Sequence, residues 1–208
     1  MNDDFDSSAP GEDGRKLSRD AINTLPLFHY PGKVKLIRTA EDVARAIARL
    51  SGETVLGFDT ETRPSFIRGK SYSPSLVQLA GEEEIYLFQL QWQPLSSPLA
   101  DLLACETVVK AGVAAHEDMH ALEKLYPFTP AGVVDLAAVA RRHRLQNQSL
   151  RALAAFFLGV RVSKGERCSN WGVRELTLRQ VRYAATDAWA SRAIYLRMRE
   201  EGLVEEAK

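Results

Sequence analysis

Cysteine is scarce: the chain has two, Cys105 and Cys168, far apart and in no C-x-x-C arrangement. That excludes a disulfide-stapled scaffold and a multi-cysteine zinc site, and points to a reducing compartment such as the cytoplasm. Long apolar runs are missing too; none approaches the ~20 residues needed to span a bilayer, so no membrane role is expected. The amino terminus lacks the basic-then-apolar layout of a secretory signal. Net charge is absent, with 27 Lys and Arg against 27 Asp and Glu, so no global field draws in a polyanion. Residues 1–20 are poor in apolar side chains and rich in Asp, Ser and Gly. They cannot bury enough surface to offset the entropy of ordering and are expected to be disordered. That leaves residues 21–208 as one domain, long enough to bury a full core without disulfides or a structural metal.

What is present is unevenly spread. Residues 141–182 hold ten Lys and Arg and two Asp and Glu, which suggests either a local anion-binding face or ordinary solvated helix faces. Strands are expected at KVKLI, at TVLGFDTE as a buried run ending at Asp59, at SLVQLA and IYLFQL as further members of a meander, at TVVKAG, and briefly at Val133-Val134. Thr39 reads as a helix N-cap before VARAIARL. Further helices are expected at residues 94–104, 116–126, 135–144, 150–158 and 178–200. Residues 159–175 show no period and read as a long loop. Strands first, then strands alternating with helices, describe an α/β fold with a mixed sheet and helices on its faces.

Three segments carry chemistry. In Asp59-Thr60-Glu61, a continuing strand puts positions i and i+2 on one face, so two carboxylates lie side by side. Their repulsion is relieved by a divalent cation, and hard oxygen ligands suit Mg²⁺ or Mn²⁺; an exposed strand end carrying acids for solubility is the plainer reading. In Tyr183-Ala-Ala-Thr-Asp187, spacing of four places phenol and carboxylate on one helical face; a Tyr packed on the sheet beside an unrelated Asp fits as well. In KAGVAAHEDMH, Asp118 falls just inside a helix after a strand, where the helix dipole favours an acid regardless of catalysis. That segment also contains H-E-x-x-H through His116 and His120, a spacing able to hold zinc.

Together, in this order, the segments resemble the tyrosine-type DEDD family of 3′–5′ exonucleases, on the branch of ribonuclease D and the Werner-type exonuclease domain. GFDTET matches the first motif, KAGVAAHEDMHAL the second and YAATDA the third. SPSLVQLA and RCSNWGVRELTLRQVRYAATDAW extend the likeness, which covers residues 25–199. The resemblance implies a ribonuclease H-like fold, with a mixed five-stranded sheet and helices on both faces. It also sets the zinc reading aside, because Asp118 must face the site and is not four residues from either histidine.

The resemblance further implies hydrolysis of phosphodiester bonds from a nucleic-acid 3′ end, using two divalent cations, Mg²⁺ or Mn²⁺. Asp59 would bridge both ions, Glu61 and Asp187 would complete the site of the ion that carries the attacking water, and Asp118 would support the second. Tyr183, an ordinary phenol with a pKa near 10, would orient that water rather than deprotonate it. Phe66, Arg68 and Lys70 follow the first motif and are candidates to stack on a terminal base or meet phosphate; an ordinary loop is the other reading. Arg167, Asn170 and Trp171 resemble positions near the substrate, with Trp171 equally suited to anchoring a core. The Werner-like segment tilts the expected substrate slightly towards DNA over RNA. The alternative is a non-catalytic nucleic-acid-binding domain on the same fold, from which loss of a carboxylate is expected; all four are present.

Overall fold

The structure is a computed structural model that describes residues 16–65, 67, 69 and 71–204. Its element order is α1 (Arg19–Thr24), β1 (Lys33–Ile37), α2 (Ala40–Leu50), β2 (Val55–Thr62), β3 (Pro74–Ala80), β4 (Glu84–Gln89), α3 (Ser97–Leu103), β5 (Val109–Gly112), α4 (Ala115–Glu123), β6 (Val133–Asp135), α5 (Leu136–Arg142), α6 (Leu150–Leu158) and α7 (Leu178–Glu200). The strands form one mixed sheet in the order β1-β4-β3-β2-β5-β6. β2, β3 and β4 make the antiparallel meander, while β1 joins β4, β5 joins β2 and β6 joins β5 in parallel.

Among the described residues the sheet thus has six strands, matching the six segments read as strands and one more than the five that the resemblance implies; the opening strand and the short β6 lie at its opposite edges. β2 runs to Thr62 rather than stopping at Asp59, held by antiparallel pairing with β3. The described part of the expected N-terminal tail differs as well. Ser18 caps α1, accepting from the Ala21 N–H at 3.0 Å, and Leu17, Ile22 and Leu25 pack on Ala152 and Ala155 of α6. Local composition understated this because the apolar surface that orders the segment lies more than a hundred residues away in the chain.

The period of two along each strand builds two cores. Leu56 and Phe58 of β2, Val77 and Leu79 of β3, and Tyr86 and Phe88 of β4 face α2, α3 and α4. Leu76 and Ala80, with Ile85 and Leu87, face α7 and Trp171 on the other side. Val55, Val109 and Ala111 continue that second face beneath α5, α6 and the far half of α7. Helix starts follow local chemistry: Thr39 with Asp42, and Thr177 with Gln180, form reciprocal capping boxes that satisfy otherwise orphaned N–H groups. Cys105 and Cys168 are free thiols, and Cys168 is exposed rather than buried. Among the described residues, no helix is long and apolar enough to cross a membrane.

Candidate active site

Strand β2 sets the site. Val55, Gly57, Asp59 and Glu61 share its α7-facing side by the alternation of a strand. Gly57 has no Cβ, and one added there would lie 2.0 Å from the Ala188 carbonyl oxygen and 2.8 Å from the Arg192 nitrogen. The missing side chain therefore lets α7 lie directly on β2, one residue past Asp187. Carboxylate oxygens of Asp59, Glu61 and Asp187 come within 4.8 Å of one another. Asp118 enters from α4, which begins after Ala114 turns through the left-handed region at φ 58°. A Cβ on Gly112 would meet the Phe58 carbonyl oxygen at 2.4 Å, so only glycine lets β5 end this close to β2. Asp59, Glu61, Asp118, Tyr183 and Asp187 line a single cleft of about 440 Å³.

The electrostatics follow from burial of like charges. Burial first, then the charges of Asp187 and Asp118, pushes the Asp59 carboxyl well above the carboxylate range. Burial with Asp59, Asp187 and Asp118 pushes Glu61 up to about 10, opposed by Arg167. Asp187 rises to about 7 through burial, eased by a hydrogen bond from the Tyr183 hydroxyl. Asp118 rises to about 6 through burial, eased by a hydrogen bond with the Thr60 side chain. Tyr183 is raised above its ordinary value by burial and then by Asp187 and Glu61, so it stays a phenol. A cation removes the cost of ionising such a group, and the oxygens of Asp59, Glu61 and Asp187 form a donor set that could hold a divalent metal ion.

A sequence profile described as 3′–5′ exonuclease matches residues 34–202, the span containing all five of these residues. The chain belongs to the 3′–5′ exonuclease family. It is 33% identical over 170 residues to ribonuclease D of Gluconacetobacter diazotrophicus, covering 80% of this chain and 42% of that protein. It is 32% identical over 186 residues to the mouse bifunctional 3′–5′ exonuclease/ATP-dependent helicase WRN, covering 85% of this chain and 13% of that protein. The chain thus spans less than half the length of these curated relatives. In fold it is similar to the Aedes aegypti Nibbler EXO domain, with a TM-score of 0.75 and 23% identity over 84% of this chain and 92% of that one. It is likewise similar to Escherichia coli RNase D, with a TM-score of 0.71 and 24% identity over 84% of this chain and 48% of that one. The ribonuclease H-like architecture expected from the motifs is that of these exonuclease neighbours.

Within this exonuclease domain the remaining candidates separate. Phe66, Arg68 and Lys70 lie outside the described residues. Arg167 lines the cleft, and its charge acts on Glu61. Asn170 is exposed and does not line the cleft; its Oδ1 accepts from the Gly172 N–H at 3.0 Å. Trp171 is only 1% exposed and sits in the core with its ring centroid 6.0 Å from that of Tyr183. It is a core anchor behind Tyr183, and a strand end cannot stack on it without unpacking that core. His116 and His120 are exposed and line no part of the cleft, and His120 pairs with Glu123 at 3.2 Å. Three contributors were not singled out from the sequence: Thr60, Arg151 and Lys164. Thr60 had a signal, since the middle residue of D-x-E points to the opposite strand face, towards α4. Lys164 had none, lying in a segment without period.

Proposed function

We propose that the chain is a 3′–5′ exonuclease that shortens DNA or RNA one nucleotide at a time from the 3′ end, with two divalent cations, Mg²⁺ or Mn²⁺, at the carboxylate cluster. The observation that carries this reading is the meeting of Asp59, Glu61 and Asp187 oxygens within 4.8 Å, in the cleft that Asp118 and Tyr183 also line. Bound there, the cations would supply positive charge that activates water and stabilises the leaving 3′-oxygen. Asp59, Glu61 and Asp187 would hold them, with Asp118 completing the set from α4. Tyr183 keeps its proton and donates to Asp187. Its phenol orients the attacking water, because a group raised above 10 is a poor base at neutral pH. Arg167 meets the substrate phosphate at the cleft wall. Thr60 fixes the Asp118 carboxylate. The unit is the domain expected over residues 21–208 with its start extended back to Leu17, which packs on α6, and its two free thiols suit a cytoplasmic setting.

The test uses DNA and RNA strands labelled at either end, incubated with Mg²⁺, Mn²⁺ or EDTA. A 5′-labelled strand should shorten stepwise with metal, and a 3′-labelled one should release labelled mononucleotide at once. EDTA and Asp59→Ala should each abolish both. Undiminished cleavage by Asp59→Ala overturns the reading. A non-catalytic binding domain would leave every strand intact while still retaining it.

A further inference from the structure

The active-site cleft does not end at the carboxylates. It shares Ser149, Arg151 and Lys164 with a second cleft of about 300 Å³. The far wall of that second cleft is α1, through Arg19 and Asn23. Helix α1 precedes the residues matched by the family profile, which begin at 34. It is fastened to the domain at several points. Arg161 N–H donates to the Pro26 carbonyl at 2.9 Å, and Phe28 N–H donates to the Arg161 carbonyl at 2.9 Å. Asn147 Nδ2 donates to the Leu17 carbonyl at 3.1 Å, and Arg151 donates to Asn23 Oδ1 at 2.5 Å. Phe28 stacks on Trp189 of α7 with centroids 4.2 Å apart.

The charge of this trough is one-sided. Among the described residues Arg19, Arg151 and Lys164 line it, and no carboxylate does. Among the described residues none of these three, nor Arg161, forms an ion pair with an acid. The Arg151 guanidinium is held below its usual value by burial and by the positive charges of Arg161 and Arg19. Cations gathered against their own repulsion, in a protein of zero net charge, are complementary to a run of phosphates.

We propose that the trough between α1 and α6 is the track for the single strand on the 5′ side of the scissile bond, with Arg19, Arg151 and Lys164 contacting its phosphates. The proposal rests on the exonuclease reading for the identity of the strand. Direction follows from the chemistry. An exonuclease acting at a 3′ end has one nucleotide beyond the scissile bond, so a second phosphate-binding compartment has only the 5′ side to hold. The N-terminal segment would then lengthen the grip of this chain beyond what the matched family span provides.

The experiment compares a dinucleotide with a single-stranded dodecanucleotide, as DNA and as RNA. Binding is read by fluorescence anisotropy in EDTA and turnover in Mn²⁺. Arg19 is exposed at the first position of α1, so Arg19→Gln should leave the melting temperature unchanged. It should weaken dodecanucleotide binding by about threefold to tenfold and raise KM to match, with dinucleotide turnover unaltered. The slope of log Kd against log salt for the dodecanucleotide should fall by about 0.7, the value for one phosphate contact on a single strand. Equal losses on both lengths would place the trough on the departing nucleotide and overturn the proposal. An unchanged dodecanucleotide Kd and salt slope would overturn it as well. Metal-independent integrity of every strand would instead defeat the exonuclease reading, while the binding measurements would still decide the trough.

Discussion

Gly57 and Ala188 are in backbone contact: a Cβ on Gly57 would stand 2.0 Å from the Ala188 carbonyl oxygen. No rotamer relieves such a clash, because the opposing atom is main chain on a long helix. Gly57→Ala must therefore lift α7 from β2, separating Asp187 from Asp59 and Glu61. Overpacking of this kind costs about 1–3 kcal/mol, and the variant should lose Mn²⁺ affinity and turnover together. Gly52→Ala is the control, since its Cβ would lie 3.6 Å from the nearest atom, the Arg49 carbonyl oxygen. It should fall within about 0.5 kcal/mol of the parent. Urea midpoints and calorimetric Mn²⁺ titration of both variants check this, and retention of full Mn²⁺ affinity by Gly57→Ala would refute it.

The acidic cluster makes the stability of the metal-free protein depend on pH. Asp187 is raised to about 7, Asp118 to about 6 and Glu61 to about 10, all by burial first. Folded carboxyls with raised values hold protons that the unfolded chain has already released. Their stabilising contribution is complete below the ordinary carboxylate range and is lost as pH rises through the folded values. Without metal the melting temperature should thus fall between about pH 5 and about pH 8, and divalent cations should raise it more at the upper end. Thermal melts with and without EDTA at both pH values provide the measurement. A metal-free melting temperature that rises across this window would contradict the burial of these charges.

Tyr183 donates its hydroxyl to Asp187 and is raised above its ordinary value. Tyr183→Phe keeps the ring against Trp171 and should fold normally. Turnover should fall by about 10- to 100-fold, the scale of a misplaced reactant, while KM changes by less than about threefold. The basic limb of the pH–rate profile should stay where it is, because the phenol is not the base that titrates there. A shift of that limb in the variant would make Tyr183 a proton-transfer group, and a loss confined to KM would make it a substrate grip.

Much of this was legible in the sequence because it is local or periodic. The strand period placed Asp59 and Glu61 on one face, the helical period joined Tyr183 to Asp187, and Thr39 with Asp42 announced α2. What escaped depends on contacts distant in sequence. Residues 17–20 belong to the stretch that looks too polar to order until α6 is set beside Leu17. Trp171 fits a substrate contact or a core anchor equally well in one dimension, and only its burial beneath α7 decides. Arg151 belongs to a helix whose face is chosen by packing. Its meeting with Arg19 and Arg161 needs the chain to close on itself.

Residues 171–175, in the segment that carries Arg167 to the cleft, are held by the turn after β4. Gln91 Nε2 donates to the carbonyls of Trp171 at 3.3 Å and Val173 at 3.1 Å. Trp92 Nε1 donates to the Arg174 carbonyl at 2.8 Å, and the Arg174 guanidinium lies 4.3 Å from the centre of the Trp92 ring. Trp92→Ala removes one hydrogen bond and two cation–π contacts, since the Arg38 guanidinium also lies 5.9 Å from the centre of the ring, a loss of about 2–3 kcal/mol. The consequence for function should be selective. Arg167 rides on the loosened segment, so KM should rise several-fold, whereas Asp59, Glu61 and Asp187 stand on β2 and α7 and should bind Mn²⁺ as before. Proteolysis should open the chain within residues 163–175 earlier than in the parent. A parallel fall in Mn²⁺ affinity would show that the turn supports the carboxylate cluster itself rather than the substrate wall.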